Sequence, residues 1–444
     1  MLFHTSYKVE KVILTGFLLV ILAGALLLWA VNNYICGLPL SPLDALFMAT
    51  SGVCVTGLGT VDISSGFGTE AQLILLALIQ IGGLGFMTAM VMLSVALRKR
   101  LGLREQIFFT GGLGVEGLHG ALSLFFTVIC FTALFEAVGA VALFISFASC
   151  GESLPDSAYL AFFHSISAFC NAGFSPCSGG LRNYASVPSV TAVIMLLITI
   201  GGIGFPVCSE CMERVTSGPP YKLSVYTKLV LIISGVLVAA GTVLFALSEW
   251  NGAFAEFSAP LKLWNALFAS VTARTAGFET VPSGNLTELG MAIMIILMTI
   301  GASPSSTGGG AKTTTFGVLA ISVWNELHGR DVPSFMKRTI PERTERRAIS
   351  LLAIYFFTIL IAVLLLGVTE KGFPFRAVIF EAASALGTVG LTVGITDKLS
   401  VFGKMIIIVL MFWGRVGIYS FVSTLIRADN NTGVRYPETH IPIG

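Results

Sequence analysis

Four short stretches of this chain carry the same chemical potential. They are Val55-Thr56-Gly57-Leu58, Asn171-Ala172-Gly173-Phe174, Thr275-Ala276-Gly277-Phe278 and Thr388-Val389-Gly390-Leu391. None offers a carboxylate, thiol or imidazole; what each offers is a run of backbone carbonyls around a glycine. A ring of carbonyl oxygens can replace the hydration shell of a cation. Divalent cations prefer charged oxygen ligands, so neutral ligands without a dense carboxylate cluster point to a monovalent ion. Glycine suits such a ring because it reaches positive φ and lets backbones approach closely. One such tetrapeptide is a common turn, so the argument rests on there being four.

Each stretch is preceded by the same kind of element. A short, moderately apolar segment of about four turns at most starts near Pro42, Pro155, Pro260 or Pro374, and a phenylalanine (Phe47, Phe163, Phe268, Phe380) precedes each glycine. Proline fits the first turn of a helix, where its missing N–H is an orphan anyway. A second element follows each stretch: Ile81-Gly82-Gly83-Leu84-Gly85-Phe86, Ile200-Gly201-Gly202-Ile203-Gly204-Phe205, Ile300-Gly301-Ala302-Ser303-Pro304 and Trp413-Gly414-Arg415-Val416-Gly417. The chain therefore reads as four copies of helix, half-helix, loop and helix, repeating roughly every 110 residues, and a repeat at that scale overrides local readings. The units are 1–104, 105–222, 223–340 and 341–426, with a tail over 427–444.

Composition sets the surroundings. Of 444 residues, 55% are hydrophobic and 11% charged, with a mean hydropathy of +0.87; soluble domains carry about 25% charged residues. Eight apolar blocks, near 12–33, 71–97, 121–148, 190–212, 227–249, 289–323, 349–368 and 403–426, have lengths suited to crossing a bilayer. The first is too long for a signal-peptide core and is expected to remain as a helix. Intervals with Arg98, Lys99, Arg100 and Arg104, with Arg214, Lys222 and Lys228, and with Arg330, Lys337, Arg338, Arg343, Arg346 and Arg347 are basic. The positive-inside rule places them, and both termini, in the cytoplasm. The basic residues lie in short loops rather than on one face, so nucleic acid is not an expected partner. The expected fold class is an all-α membrane protein with four helix–pore-helix–loop–helix repeats around a pseudo-fourfold pore.

Backbone that leaves the helix cannot face lipid, because each unpaired N–H or C=O there costs several kcal/mol. Half-crossing helices followed by loops must line a water-filled conduit, and the twelve residues Val55, Thr56, Gly57, Asn171, Ala172, Gly173, Thr275, Ala276, Gly277, Thr388, Val389 and Gly390 are its candidate filter. A second irregular stretch interrupts the closing span of the third unit. It holds Ser303, Ser305, Ser306, Thr307, Gly308, Gly309, Gly310 and Lys312, a Gly and Pro density that disfavours helix. Just below the filter it could occlude the conduit; a broken helix without a gating role is the plainer alternative. Arg415 lies inside the last span, where an arginine usually faces a cavity or a partner. It is expected to project into the pore beneath the filter and touch the 303–312 loop, with a structural ion pair as the alternative. Arg274, Glu381 and Asp44 belong to the shell around the filter, as braces rather than ion ligands, and His164 is expected to be a packed polar residue.

At these motifs the sequence resembles the Trk/Ktr/HKT superfamily of K⁺ transport proteins, and most of all its bacterial KtrB-type membrane subunits. The resemblance covers essentially the whole chain, including the terminal Arg435-Tyr436-Pro437 and Gly444. It implies a K⁺-channel-like fold and an intramembrane gating loop at 303–312. It also implies a homodimer with one pore per subunit and a cytoplasmic ring of nucleotide-binding RCK regulatory subunits; the basic 325–347 stretch reads by default as a solvated inward loop, with docking of that regulator as the implied alternative. Serine at the first filter glycine goes with Na⁺ transport in plant relatives; here that residue is Gly57, so K⁺ is the implied ion, with Na⁺ as an activating or coupled ion. Cys54, Pro304, Ile418 and Tyr419 depart from the family pattern and bear on gating rather than ion type.

Other readings fit less well. The 308–313 segment is not a phosphate-binding loop, since Ala311 intervenes between glycine and Lys312 and no strand precedes it. Cys208 and Cys211 form a lone CxxC without a second pair for a metal. A secondary transporter would use inverted repeats, whereas all four units here run in the same sense. No catalytic triad, His–Glu or paired-carboxylate constellation lies in the spans, so an enzyme is not expected.

Overall fold

The computed structural model describes residues 2–97, 117–217, 222–330 and 332–417. The basic cluster at 98–104, the 418–444 segment and its Arg435-Tyr436-Pro437 motif lie outside the described residues. Each unit consists of a leading helix, a pore helix and a closing helix. The leading helices are Leu2–Ala30 (continued by a π turn, Val31–Ile35), Gly117–Ser149, Val225–Glu249 and Glu342–Thr369. The pore helices are Pro42–Val53, Leu154–Phe169, Ala259–Thr272 and Phe375–Gly387. Three of them carry the predicted proline in the first turn, and in the fourth Pro374 is the N-cap itself. In the first two, Ser41 and Ser153 accept from the N–H of Asp44 and Asp156, which satisfies one of the donors every helix start leaves open.

Among the described residues four helices are long and apolar enough to cross a bilayer, and only 22–33% of their most apolar windows is buried inside the protein. Leu18, Leu22, Phe126, Val138, Val236, Phe356 and Leu364 face outward on them, as lipid contact requires. The closing segments are less regular than the eight apolar blocks imply. The first runs as one helix, Thr69–Leu97. The second, expected as one crossing over 190–212, breaks into Pro188–Ile203 and Phe205–Ser217 with a bend of 105°. Pro206 explains the break: in a continuous helix its ring would clash with the carbonyl four residues earlier. Gly204, at φ 102°, takes up the turn. The third is interrupted between Glu288–Thr299 and Thr313–Leu327, as its composition predicts. The fourth is described as Val401–Val416.

The units pack as a ring. Each closing helix lies against the pore helix of the next unit: Thr69–Leu97 on Leu154–Phe169, Pro188–Ile203 on Ala259–Thr272, Glu288–Thr299 on Phe375–Gly387, and Val401–Val416 back on Pro42–Val53. Buried carboxylates tie the ends of two leading helices to the closing helices. Glu249 accepts from the Thr287 N–H (3.1 Å) and hydroxyl (2.6 Å); Glu370 accepts from the Ser400 N–H (3.2 Å) and hydroxyl (2.5 Å). Negative charge at a helix N-terminus is favourable there. In the first unit Asn32 plays the part, bonding Gly66 O (2.9 Å) and the Gly68 N–H (3.2 Å).

Candidate functional site

The four candidate filter loops meet in chain order. A Cβ placed on Gly57 would lie 2.5 Å from the Ala172 carbonyl oxygen, and one on Gly173 would lie 2.8 Å from that of Ala276. One on Gly277 would strike the Val389 carbonyl oxygen, and one on Gly390 that of Thr56. Each glycine thus abuts the central carbonyl of the next loop, and the fourth closes on the first. The loops also share a backbone shape. The first position is left-handed in all four, at φ 54° for Val55, 59° for Asn171, 69° for Thr275 and 50° for Thr388, and the glycine two residues on has positive φ again. Left-handed backbone is costly outside glycine and persists only where the surroundings enforce it.

The surroundings here are the pore helices and their hydroxyls. Ser51 and Ser384 accept from the N–H of Gly57 and Gly390, both at 3.1 Å. Ser167 and Thr272 donate to the carbonyls of Phe174 (2.8 Å) and Phe278 (2.7 Å). The four predicted phenylalanines are buried behind the loops. All four pore helices end one to three residues before the candidate filter, so their negative dipole ends, worth roughly half a charge each, converge on the ring.

The shell residues hold the outer rim. Glu381 accepts from the hydroxyls of Thr392 and Thr396, the latter at 3.0 Å, which braces the chain leaving the fourth loop. At the matching position of the second unit His164 bonds Ser175 Oγ (2.9 Å) and Leu160 O (2.8 Å). Asp44 pairs with Lys404 at 2.8 Å, joining the first pore helix to the last closing helix. Burial alone would raise the Asp44 carboxyl; hydrogen bonds from Lys404 and Ser41 outweigh this and hold it below its ordinary value. Arg274 differs from the expected filter brace: its guanidinium donates to Ser234 Oγ (3.0 Å) on the third leading helix, not to the filter. The position before the filter faces outward onto neighbouring helices, as Cys170 also does by donating to Gln80 Oε1 (3.3 Å). Cys170 is the C-cap of the second pore helix.

Directly below the ring lies the interrupted segment of the third unit. The Ser303 N–H donates to Gly202 O (3.1 Å), that of Thr307 to Gly201 O (3.2 Å), and that of Phe205 to Ser305 O (3.0 Å). The bend at Gly204 is what frees the Phe205 donor. The Thr307 hydroxyl donates to Phe169 O (3.1 Å), and the Gly310 N–H to Gly414 O (3.2 Å). Ser306 Oγ donates to Ser303 O (2.7 Å), and Lys312 Nζ to Gly308 O (2.8 Å). The loop is thus stitched to the second and fourth units as well as to itself. A Cβ on Gly308 or Gly309 would strike the hydroxyl oxygens of Thr275 and Thr388. Those two hydroxyls are buried and have no partner among the described residues.

Arg415 reaches across this space. Its guanidinium donates to Thr307 O in the loop and to Gly82 O (2.6 Å) and Gly83 O (3.1 Å) of the first closing helix. No carboxylate among the described residues pairs with it, so the ion-pair alternative has no support there. The glycines it touches have a packing reason to recur. A Cβ on Gly82 would strike Val53 O, one on Gly201 Phe169 O, and one on Gly414 Leu386 O. Three of the four closing segments are thus pressed glycine-first against a pore helix's carbonyl end, while in the third Gly301 abuts the carbonyls of Gly309 and Ala311 in its own loop.

One group escaped the sequence reading. Glu136, on the second leading helix, accepts from Gln80 Nε2 (3.2 Å), and its other carboxylate oxygen is buried without a partner among the described residues. The signal was available: a carboxylate inside the apolar block 121–148 is itself a functional flag. The Cys208–Cys211 pair gathers no metal site; among the described residues no cluster of three ligating side chains exists.

Comparison with known proteins assigns the chain to a family. The TrkH family model, a cation transport protein, matches residues 13–432. The Ktr system potassium uptake protein B of Bacillus subtilis (strain 168) is 36% identical, over 98% of this chain and 96% of its own. Its namesake in Vibrio alginolyticus is 37% identical, over 98% and 94%. The potassium/sodium uptake protein NtpJ of Enterococcus hirae is 33% identical, over 98% and 97%. The crystal structure of the potassium transporter TrkH from Vibrio parahaemolyticus superposes with a TM-score of 0.68 at 18% identity, covering 94% of this chain and 84% of that one; at that identity it speaks for the fold. With four apolar helices able to span a bilayer among the described residues and a family match over nearly its whole length, this chain is a multi-pass membrane protein of the TrkH family, cation transport proteins and not enzymes.

Proposed function

We propose that this chain is the ion-translocating subunit of a K⁺ uptake system. The observation that carries the reading is the closed ring in which Gly57, Gly173, Gly277 and Gly390 each abut the neighbouring loop's carbonyl. Carbonyls of the twelve filter residues take the place of hydration water, and four pore-helix ends favour the cation electrostatically. The 303–312 loop is the gate, with Arg415 as its latch and as a fixed positive charge on the ion's path. Lys312 holds the loop's own turn through the Gly308 and Gly309 carbonyls. Arg274 and Glu381 fix the shell in which the loops sit. The two relatives named for potassium uptake support K⁺ as cargo, and the one named for potassium and sodium supports Na⁺ as a second ion. The chain works in the cell membrane with both termini cytoplasmic, as a homodimer seated on a nucleotide-binding RCK ring.

The test is K⁺ uptake at limiting K⁺ in a bacterium deficient in K⁺ uptake, comparing wild type with Gly57→Ser at several Na⁺ concentrations, with a regulatory subunit supplied. Rescue by wild type and a shift toward Na⁺ in the variant support the reading. Absence of K⁺-dependent uptake by wild type overturns it.

A further inference from the structure

A crevice of about 420 Å³ opens at the basic end of the third and fourth units, away from the ion path. Its walls come from three helices and one hairpin. Val225 and Leu229 stand at the start of the third leading helix, Val318 and Ile321 on the helix after the gating loop, and Leu351 on the fourth leading helix. Its lining on that helix runs from Thr314 to Ile321, roughly 10 Å at 1.5 Å per residue. At its mouth stand Arg338, from the hairpin Ser334–Phe335/Arg338–Thr339, and Arg347, both exposed.

Two further observations place the mouth at a membrane surface and mark the hairpin as specialised. Trp324 and Leu327, on the crevice's own helix, are 61% and 77% exposed, and exposed tryptophan beside apolar helix is the pattern of the bilayer interface. The hairpin turns through Met336 and Lys337, at φ 48° and 61°, where such a turn ordinarily takes asparagine and glycine. A strained turn of this kind persists where something over-determines it.

We infer that this crevice is a binding site for an anionic phospholipid, with an acyl chain in the apolar slot and the headgroup phosphate between Arg338 and Arg347. The charge complementarity selects the headgroup: guanidinium forks match phosphate oxygens. The apolar lining shared by three helices selects a lipid over a soluble protein, since an acyl chain matches Val225, Leu229, Val318, Ile321 and Leu351. The site abuts the gate. Tyr226 lines the crevice and its hydroxyl donates to Pro304 O at 3.5 Å. Thr314 follows Thr313, whose hydroxyl bonds Ser303 Oγ at 3.0 Å.

Lipid retention can be read without any transport assay, so its outcome is independent of the ion the chain carries. The purified full chain, without regulator, is exchanged into vesicles of phosphatidylglycerol and phosphatidylcholine, and retained lipid is counted by native mass spectrometry. Wild type is expected to retain phosphatidylglycerol preferentially. Arg338→Gln or Arg347→Gln each lowers that preference about fivefold, and the double variant about 25-fold. Ile321→Trp, which fills the slot, lowers retention of both lipids. Arg330→Gln and Arg343→Gln, outside the crevice lining, change it less than about twofold. Equal retention of both lipids by wild type, or equal losses from the control arginines, overturns the proposal. So does full retention in the double variant. The arginines are exposed, so their variants answer the question even if Ile321→Trp fails to fold.

Discussion

The ring of four glycine loops is four times the same thing, and the layer of closing segments beside it is four different things. Around the filter every loop repeats one backbone pattern, and each glycine meets its neighbour in the same way. Below the filter, two nearly identical hexapeptides part company. Ile81-Gly82-Gly83-Leu84-Gly85-Phe86 stays helical to Leu97, while Ile200-Gly201-Gly202-Ile203-Gly204-Phe205 turns at Gly204. The third segment is a loop, and the fourth carries an arginine where the first two have glycine. On the function proposed above, the lesson is that a ring of ion ligands demands symmetry, whereas a gate demands a place where symmetry fails. The ring's own symmetry has one lapse. In three units the central filter N–H bonds a carbonyl five residues back, and in the third Ala276 bonds Thr272, four back, so the chain there is one residue shorter.

Alanine at the filter glycines tests the regular half, and the largest effect is expected there. Gly390→Ala would push a methyl into the Thr56 carbonyl at a positive φ. Strain of ~3 kcal/mol on the conducting geometry corresponds to roughly a hundredfold loss of K⁺ uptake. Gly173→Ala is expected to behave alike; if only one of the two were sensitive, the ring would not be functionally fourfold. Arg415→Gln tests the irregular half. It weakens charge-assisted bonds to carbonyls of the loop and the first unit, each worth about 1.5–3 kcal/mol. K⁺ flux without regulator is expected to rise roughly tenfold, read by tracer efflux from vesicles; unchanged flux would remove Arg415 from the gate.

Pro206→Ala probes why the two hexapeptides differ. With the clash removed, the second segment can approach the straight form of the first and withdraw the Phe205 N–H from Ser305. Losing one net hydrogen bond of ~1 kcal/mol predicts about a fivefold change in gating equilibrium. An unaltered equilibrium would assign the bend to Gly204 and the loop instead. The smallest effect is expected for Asp44→Asn, about 0.5–1 kcal/mol of stability, with K⁺ over Na⁺ selectivity unchanged. Because the folded carboxyl lies below its ordinary value, the stability from the Lys404 pair is present above that ordinary value. It is lost only as pH falls through the lower, folded one. Thermal unfolding of wild type and variant should therefore differ at neutral pH and converge in strong acid.

The regular half was legible in the sequence because its physics is local. Proline at a helix start, a glycine that must reach positive φ and a phenylalanine nine or ten residues before it all leave marks at near-fixed offsets, so all four pore helices and loops fall where Pro42, Pro155, Pro260 and Pro374 place them. The irregular half was legible only in part. The Gly and Pro density of 301–313 announced an interruption, and Arg415 announced a partner. The break at Gly204 turns on Pro206, one residue inside a block whose hydropathy looks unbroken. The partner of Arg274 is Ser234, forty residues earlier on another helix, and no local offset encodes that. Glu136 passed unnoticed for the opposite reason: its signal was local, a single carboxylate, but it belonged to no repeat.

The order of contacts around the ring also sets a schedule for biogenesis. Gly57 waits for Ala172, Gly173 for Ala276 and Gly277 for Val389, and only then can Gly390 settle on Thr56. The final closure joins nearly opposite ends of the chain, a non-local contact of the kind that forms late. Until the fourth unit leaves the ribosome, the first three loops hold half-built walls inside the bilayer with their polar backbone unsealed. Quality control that recognises exposed polar backbone in lipid would find its target in every chain truncated before residue 390.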